Sequence, residues 1–230
     1  MTFLNNEIFG LLLTISIYYL SIKLSNKLKN PLVNPLLLTT IIIIAIMAIF
    51  KIPLEYYDLG GNYIKFFLGP ATIVLALPLF KQLHLLKKHL FPILVGVLIG
   101  SLTSLFSVLI LSKLLHLDFK ILVSLLPKSI TTPIGISISE TYGGIVSLTI
   151  TAIVITGMTG SLAAPFVIKF ANIKNDVSKG IAIGTASHAV GTSKAIEMGE
   201  TIGAMSGLAI ALTGTITALV MPLFSQIFLK

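Results

Sequence analysis

The stretch Leu125–Gly135, with the sequence LLPKSITTPIG, interrupts a chain that is otherwise rich in leucine, isoleucine and valine. A second stretch, Gly184–Ala195, has the sequence GTASHAVGTSKA and the same mixture of small, hydroxylated and basic residues. Hydrocarbon offers no hydrogen-bond partners, so broken backbone at membrane depth occurs where it lines a cavity or is buried in protein. Two such stretches predict a site for a polar solute.

The composition is that of a membrane protein. Of 230 residues, 55% are hydrophobic and only 10% are charged, whereas soluble domains carry about 25% charged residues. This length allows about six to eight membrane segments of ~20 residues each. We therefore predict an all-α, polytopic integral membrane protein, with residues 1–230 forming one membrane domain.

The charged residues exclude several classes of function. The net charge is +8, and every basic residue other than histidine is a lysine in or near a short loop, which is typical of membrane topology rather than of nucleic-acid binding. Cysteine is absent, and no two histidines have ligand spacing with a carboxylate, so we expect neither a metal nor a cofactor. No nucleophile elbow, P-loop or HExxH motif is present, so an enzyme is not expected.

The apolar runs set the predicted topology. They cover 8–24, 36–50, 66–80, 91–115, 145–170 and 204–229, and residues 51–61, which contain Pro53, Gly60 and Gly61, are interpreted as a loop. The positive-inside rule places the lysine-rich loops 23–29, 81–89 and 169–179 in the cytoplasm and the N-terminus outside. Loops 81–89 and 169–179 lie on the same side only if an even number of segments crosses the membrane between them. Leu125–Gly135 must therefore be re-entrant. The alternative is that every segment spans and the lysine bias is misleading.

A weak internal repeat accompanies the two polar stretches. SETYGG at 139–144 and GETIGA at 199–204 lie 60 positions apart, each between a polar stretch and a long apolar run. The predicted units are 121–170 and 181–228. One spanning helix per unit would invert the second copy relative to the first, an architecture that recurs in transporters. The alternative is chance similarity between apolar sequences.

Lys128 is the main candidate binding residue in the first stretch. A lysine in an apolar segment is costly unless it faces a cavity or a partner. Together with Ser129, Thr131 and Thr132, and the N-terminus of the helix that follows, it could hold the carboxylate of a small anion. The alternative is a lysine that extends its ammonium group to the membrane surface.

In the second stretch, His188 could bind the solute or carry a proton, or it could be a buried, hydrogen-bonded structural residue. Lys194 is either a second cation of the site or an interfacial lysine. Asn34 and Thr72, near proline breaks in other apolar runs, could also reach the cavity or could mark a helix start and a kink. The remaining candidates supply hydroxyls and close backbone approach, or tight helix packing: Thr185, Ser187, Gly191, Thr192 and Ser193.

Five stretches together carry a family resemblance. They are NPLL at 34–37, GPAT at 69–72 with LPLF at 77–80, LLPKSITTPI at 125–134, GTASHAVGTSKA at 184–195 and GAMSGLAIALTG at 203–214. In this combination the chain resembles the LrgB/CidB family of bacterial membrane proteins over essentially its whole length. The subtype, LrgB or CidB, stays open.

The resemblance implies two functional accounts. One is a holin/antiholin-like protein that modulates murein hydrolase activity and cell lysis; the other is a carrier of monocarboxylates such as pyruvate or glycolate, as in a related plastidial glycolate/glycerate translocator. Two polar broken segments favour the carrier, with protons as one candidate coupling ion. The implied partners are a small anionic solute, a separately encoded LrgA/CidA-like membrane protein, the lipid bilayer and further copies of the chain in a homo-oligomer.

Overall fold

The computed structural model describes residues 5–28, 35–67, 70, 80 and 83–229. Within these residues every regular element is an α-helix, as predicted. The chain divides into two compact units, Met1–Val74 and Leu75–Lys230, which are described separately. Two predicted site residues, Asn34 and Thr72, lie outside the described residues.

Over residues 5–28 and 35–67, the first unit forms the helices α1 (Glu7–Leu28), α2 (Pro35–Ile49) and α3 (Leu54–Phe66). Helix α1 is long and apolar enough to cross a membrane, whereas the apolar part of α2, Leu38–Ile49, is shorter. Proline is tolerated at the first position of α2 because the N–H there has no intrahelical partner in any case.

Helix α3 corrects the prediction of a loop at 51–61. Its Gly60 lies directly against Gly10 of α1, where a Cβ on Gly10 would lie 3.3 Å from the Gly60 Cα. The hydroxyls of Tyr57 and Thr14 join the same two helices, 2.9 Å apart. The loop prediction was wrong because the glycine that suggested a turn instead permits a close helix crossing.

Where the structure describes it, the second unit consists of three helices of 25 or more residues and several shorter ones. Its elements are α4 (Leu83–Lys88), α5 (Leu90–Leu114), α6 (Phe119–Leu125), α7 (Thr132–Thr141), α8 (Val146–Phe170), α9 (Asp176–Met198) and α10 (Glu200–Phe228). Helices α5, α8 and α10 have 25, 25 and 29 residues and are apolar enough to cross a membrane. They coincide with predicted apolar runs, whereas the run predicted at 66–80 falls mostly outside the described residues.

Helices α6 and α7 form a re-entrant hairpin, hereafter the first hairpin. Neither is long enough to cross a membrane, and residues 126–131 between them are not helical. The Ser124 hydroxyl near the end of α6 accepts a hydrogen bond from the Ile145 N–H (2.7 Å), just before α8. The Thr149 hydroxyl of α8 donates to the Ser124 carbonyl (2.9 Å). Residues 124 and 145 therefore lie side by side, so the chain between them turns back instead of crossing the unit, as the lysine distribution predicted.

Helix α9 is also a hairpin, hereafter the second hairpin, with a first limb at 176–187 and a second limb at 189–198. Its tip is His188, which has φ 41° and ψ −137°. A Cβ on Gly191 would lie 3.0 Å from the Ile183 side chain, although a continuous helix would separate residues eight positions apart by about 12 Å. Gly180 and Ile196 both pack against the first turns of α10. Both limbs therefore lie near the same end of α10.

The two hairpins enter the unit from opposite ends. His89 and Asn175, just before α5 and α9, line one cavity, so these helices begin at the same end. Helix α8 returns to that end at Phe170, and the first hairpin therefore enters from the other one. Helix α10 starts beside the second hairpin and carries Phe224 to the core around Leu109 in the last turns of α5. A hairpin and a long helix thus occur twice, in opposite directions, as predicted; the repeat boundaries stay a prediction.

Among the apolar clusters of the described residues, the two larger ones hold the ends of the unit together. The larger joins the last turns of α5 to both limbs of the first hairpin and to the end of α10, with Leu105, Leu126 and Met221 almost fully buried. The smaller packs the first turns of α5 against the first limb of the second hairpin and the start of α10. The polar residues between these cores are therefore held by apolar packing at both ends of the unit.

Candidate functional site

An open cavity of about 640 Å³, hereafter the main cavity, lies where the two hairpin tips meet α5 and α8. Four of the residues predicted from the two polar stretches line it: Lys128, Ser129, Thr185 and Ser187. The first two come from the break in the first hairpin, and the other two come from the first limb of the second hairpin. The structure therefore brings both polar stretches to one place, although they are more than fifty residues apart in the sequence.

Lys128 contributes a positive charge to the main cavity. Its Nζ donates to the Ser129 hydroxyl (3.1 Å) and lies 3.5 Å from the hydroxyl of Ser104 on α5. The Ser104 hydroxyl in turn donates to the Ser129 hydroxyl (3.0 Å). Within the described part of the chain, Lys128 forms no ion pair with a carboxylate. A half-buried ammonium group without an acidic partner is an attractive site for an anion.

Thr185 offers a second polar group. Its side chain is only 8% exposed, and its hydroxyl has no hydrogen-bond partner among the residues described. A buried hydroxyl without a partner costs about 1–3 kcal/mol. A Cβ on Gly100 of α5 would lie only 2.7 Å from the methyl group of Thr185. Glycine at position 100 therefore permits the close approach of α5 to the first limb of the second hairpin. Thr185 therefore places a buried hydroxyl without a partner in the described structure at the wall of the main cavity.

Ser187 completes the polar lining at the tip of the second hairpin. It is 2% exposed, and its hydroxyl occupies the space that a Cβ on Gly160 of α8 would need. Any larger residue at position 160 would have to displace Ser187. Gly160 thus fixes how closely the hairpin tip approaches α8.

His188 is tied to α8 and does not line the main cavity. Its Nε2 donates to the Ile153 carbonyl (2.9 Å), which requires the tautomer protonated at Nε2, and its ring lies against Gly157. The side chain is buried. This geometry agrees with the alternative of a buried, hydrogen-bonded histidine. The solute-binding or proton-carrying role of His188 stays a prediction.

The remaining predicted residues in the second hairpin lie outside the main cavity. The Thr192 hydroxyl is 2.7 Å from the Ser206 hydroxyl of α10 and holds the second limb in place. Gly191 packs against Ser187, its neighbour in the first limb. Lys194 pairs with Glu197 (2.8 Å), and Ser193 donates to the carbonyl of the preceding turn. Their predicted roles in solute binding stay predictions.

The two threonines predicted in the first hairpin also lie away from the main cavity. Thr131 is the N-cap residue of α7 and Thr132 is its first residue, and the Thr131 side chain makes no capping hydrogen bond. Neither lines the main cavity. In the first hairpin, therefore, only Lys128 and Ser129 combine the predicted chemistry with a position at the cavity.

Comparison with known proteins gives the family. Residues 14–227 match the LrgB-like family. The chain belongs to this family. It is 40% identical over 218 residues to an uncharacterised protein, YxaC, of Bacillus subtilis (strain 168), covering 95% of each chain. It is also 40% identical over 171 residues to the antiholin-like protein LrgB of the same organism, covering 74% of each. No solved structure matches the chain.

Family membership agrees with the architecture. The resemblance seen in the sequence is confirmed, and the long apolar helices α1, α5, α8 and α10 identify a multi-pass membrane protein. The relatives that match most of the chain include both uncharacterised and antiholin-like proteins.

The sequence analysis missed two faces of this LrgB-like protein's main cavity. Polar and small residues on α5 line one wall: Gly96, Gly100, Thr103, Ser104 and Ser107. Residues of the same kind on α8 line another: Thr156, Thr159, Gly160 and Ala163. Both sets recur at intervals of mainly three and four residues, which places each on a single helix face. A search for small and hydroxylated residues with this spacing inside apolar runs would have found them.

Proposed function

We propose that this protein carries small monocarboxylates, of the size of pyruvate or glycolate, across the membrane. The observation that carries the proposal is the position of Lys128, an ammonium group without an ion-pair partner in the described structure, in an open cavity between the tips of two opposed hairpins. The cavity volume of about 640 Å³ is within the usual range for small-molecule sites.

The lining supplies the groups that such an anion needs. In this proposal the Lys128 Nζ binds the carboxylate through a charge-assisted hydrogen bond, which is stronger than one between neutral groups. The Ser129 and Thr185 hydroxyls bind the remaining oxygens, and Thr185 gains the partner that it lacks among the described residues. Ile99 and Ile181 provide apolar surface for the carbon chain. The site would thus select a short anion over a neutral solute.

The inverted arrangement supplies a way to move the anion. In transporters with inverted repeats, broken helices meet near the middle of the membrane, and rocking of one part against another opens the site to each side in turn. Here one tip bears Lys128 and the other bears Ser187, so both tips would contact the bound solute. We further propose that proton movement drives uptake, with His188 as the candidate proton carrier.

A second candidate function is antiholin-like control of murein hydrolase activity and cell lysis, together with an LrgA/CidA-like partner. The name shared by several relatives at 40% identity, antiholin-like protein LrgB, favours it. These names support lysis control more directly than transport, whereas the lining of the main cavity supports transport. A pore-forming or lysis-modulating role does not require an ammonium group between two hairpin tips.

Uptake into proteoliposomes separates the two functions. Labelled pyruvate and glycolate would be offered to vesicles that contain this chain, with and without an LrgA-like partner, under an imposed proton gradient. Saturable uptake above that of protein-free vesicles supports the carrier. Leak of large dyes without saturable uptake would overturn it in favour of the pore-forming, lysis-related function. Loss of the uptake when the proton gradient is abolished would support proton coupling.

A further inference from the structure

A second cavity of about 300 Å³, hereafter the end cavity, lies near the start of α5 and α9. Polar residues at the beginnings of both helices line it: His89 beside α5, and Asn175 and Ser178 at the start of α9. The lysine-rich loop 169–179 contributes two of these residues. This is the end of the second unit that the lysine distribution assigns to the cytoplasm.

The end cavity and the main cavity share part of their walls. Gly96 of α5 and Ile181 and Ala182 of α9 line both. A Cβ on Gly96 would have only one atom within 4 Å, the Ile181 Cγ2 at 3.9 Å, so there is free space beside this glycine. One turn further along α5, by contrast, a Cβ on Gly100 would meet Thr185 at 2.7 Å. The two helices are thus less tightly packed at Gly96 than at Gly100.

We infer that the two cavities form one access passage along the seam between α5 and α9, with Gly96 as the residue that sets its width. The polar mouth at His89 and Asn175 would admit a hydrated anion, and the passage would lead past Gly96 to Lys128. In the conformation described, the main cavity therefore communicates with the lysine-rich end of the unit. The identity of the solute in this passage rests on the proposed carrier function, whereas the passage itself does not.

The absence of native cysteine allows a direct test of the passage. Single cysteines would be introduced by Ser178→Cys at the mouth and by Ser107→Cys at the far side of the main cavity. A small, charged, membrane-impermeant thiol reagent would then be added to sealed vesicles from one face or the other. Both cysteines should react with reagent added from the face that carries loop 169–179.

The variant Gly96→Phe tests whether position 96 sets the width of the passage. In the Ser107→Cys background, it should slow labelling from the face that carries loop 169–179 by about tenfold or more. A small increase in the activation free energy of reagent entry is enough for this effect. Labelling of a cysteine at position 178 should not change, which also shows that the variant is folded and inserted. Gly207→Phe is the matched control, because a Cβ there meets nothing within 4 Å and Gly207 lines neither cavity. It should leave both rates unaltered.

Smaller substitutions keep the test decisive if Gly96→Phe does not insert. Gly96→Ala makes only an ordinary contact with Ile181, and Gly96→Leu is intermediate, so labelling at position 107 should fall in the order Gly, Ala, Leu. An unchanged rate across the series, or labelling only from the opposite face, would overturn the passage. Because labelling needs no transported solute, the passage and the carrier function can fail separately.

Discussion

The two re-entrant hairpins break their helices by different means and with different results. In the first, the break extends over residues 126–131, contains Pro127 and is followed by Pro133 in the first turn of α7. In the second, a single residue, His188, turns the chain with a positive φ and no proline. The first break presents an ammonium group to the main cavity, whereas the second directs its imidazole away from that cavity, to the Ile153 carbonyl of α8.

The two kinds of break suggest different roles for the two hairpins. The extended break leaves room for Lys128 and Ser129 to face the cavity, because several consecutive residues are free of helical geometry. The one-residue break keeps the limbs close together, and the glycines at 180, 184 and 191 let them pack tightly against each other and against α10. We interpret the first hairpin as the main source of binding groups and the second as a rigid wall.

The strongest test of these roles is Lys128→Ala. Losing the charge-assisted contact with the carboxylate removes about 1.5–3 kcal/mol of binding, which lowers uptake at low solute concentration about 10- to 100-fold. Lys128→Arg should retain part of the activity, and Lys120→Ala, an exposed lysine of the same hairpin, should retain all of it. Initial rates in proteoliposomes measure the effect. Normal uptake by Lys128→Ala would remove this residue from the site.

His188 tests the structural role of the second tip. His188→Ala should destabilise the protein by about 3 kcal/mol, because it deletes a buried hydrogen bond and leaves a void beside Gly157. His188→Gly should lose about 1 kcal/mol less, since glycine adopts positive φ without steric cost. Thermal unfolding in detergent, monitored by circular dichroism, would rank the stabilities of the wild type and the two variants. A less stable glycine variant would argue against strain at this tip.

Thr185→Val separates binding from stability. The hydroxyl has no partner in the described structure, so its removal should leave the melting temperature unchanged or slightly higher. If Thr185 binds the solute, the KM for uptake should rise by about tenfold, the equivalent of one neutral hydrogen bond. Equal KM values for the variant and the wild type would remove Thr185 from the binding site.

Lys194→Ala should have the smallest effect. This lysine is paired with Glu197 near the surface of the second limb and lines neither cavity. Exposed ion pairs contribute about 0–1 kcal/mol, so uptake should change less than about twofold. A loss comparable with that of Lys128→Ala would show that the second hairpin also supplies a cation to the site, as one interpretation of the sequence allowed.

The breaks were predictable because prolines, glycines and hydroxyls are conspicuous in an apolar chain. The lysine distribution also predicted that Leu125–Gly135 is re-entrant, since an odd number of crossings would place loop 169–179 on the wrong side. Helix α3 was missed because Gly60 suggests a turn unless its close contact with Gly10 is known. The partner of His188 was not predictable from spacing, because a backbone carbonyl 35 residues away carries no sequence signature.

Ile153 of α8 touches both hairpin tips. Its carbonyl accepts the hydrogen bond from His188, and its side chain fills the space beside Gly135 of α7. A slide of α8 by one residue, about 1.5 Å, would disturb both contacts together. A displacement of α8 would therefore act on both hairpins at once. Under the proposed carrier function, α8 is thus the element through which the two hairpins could move in step, as alternating access requires.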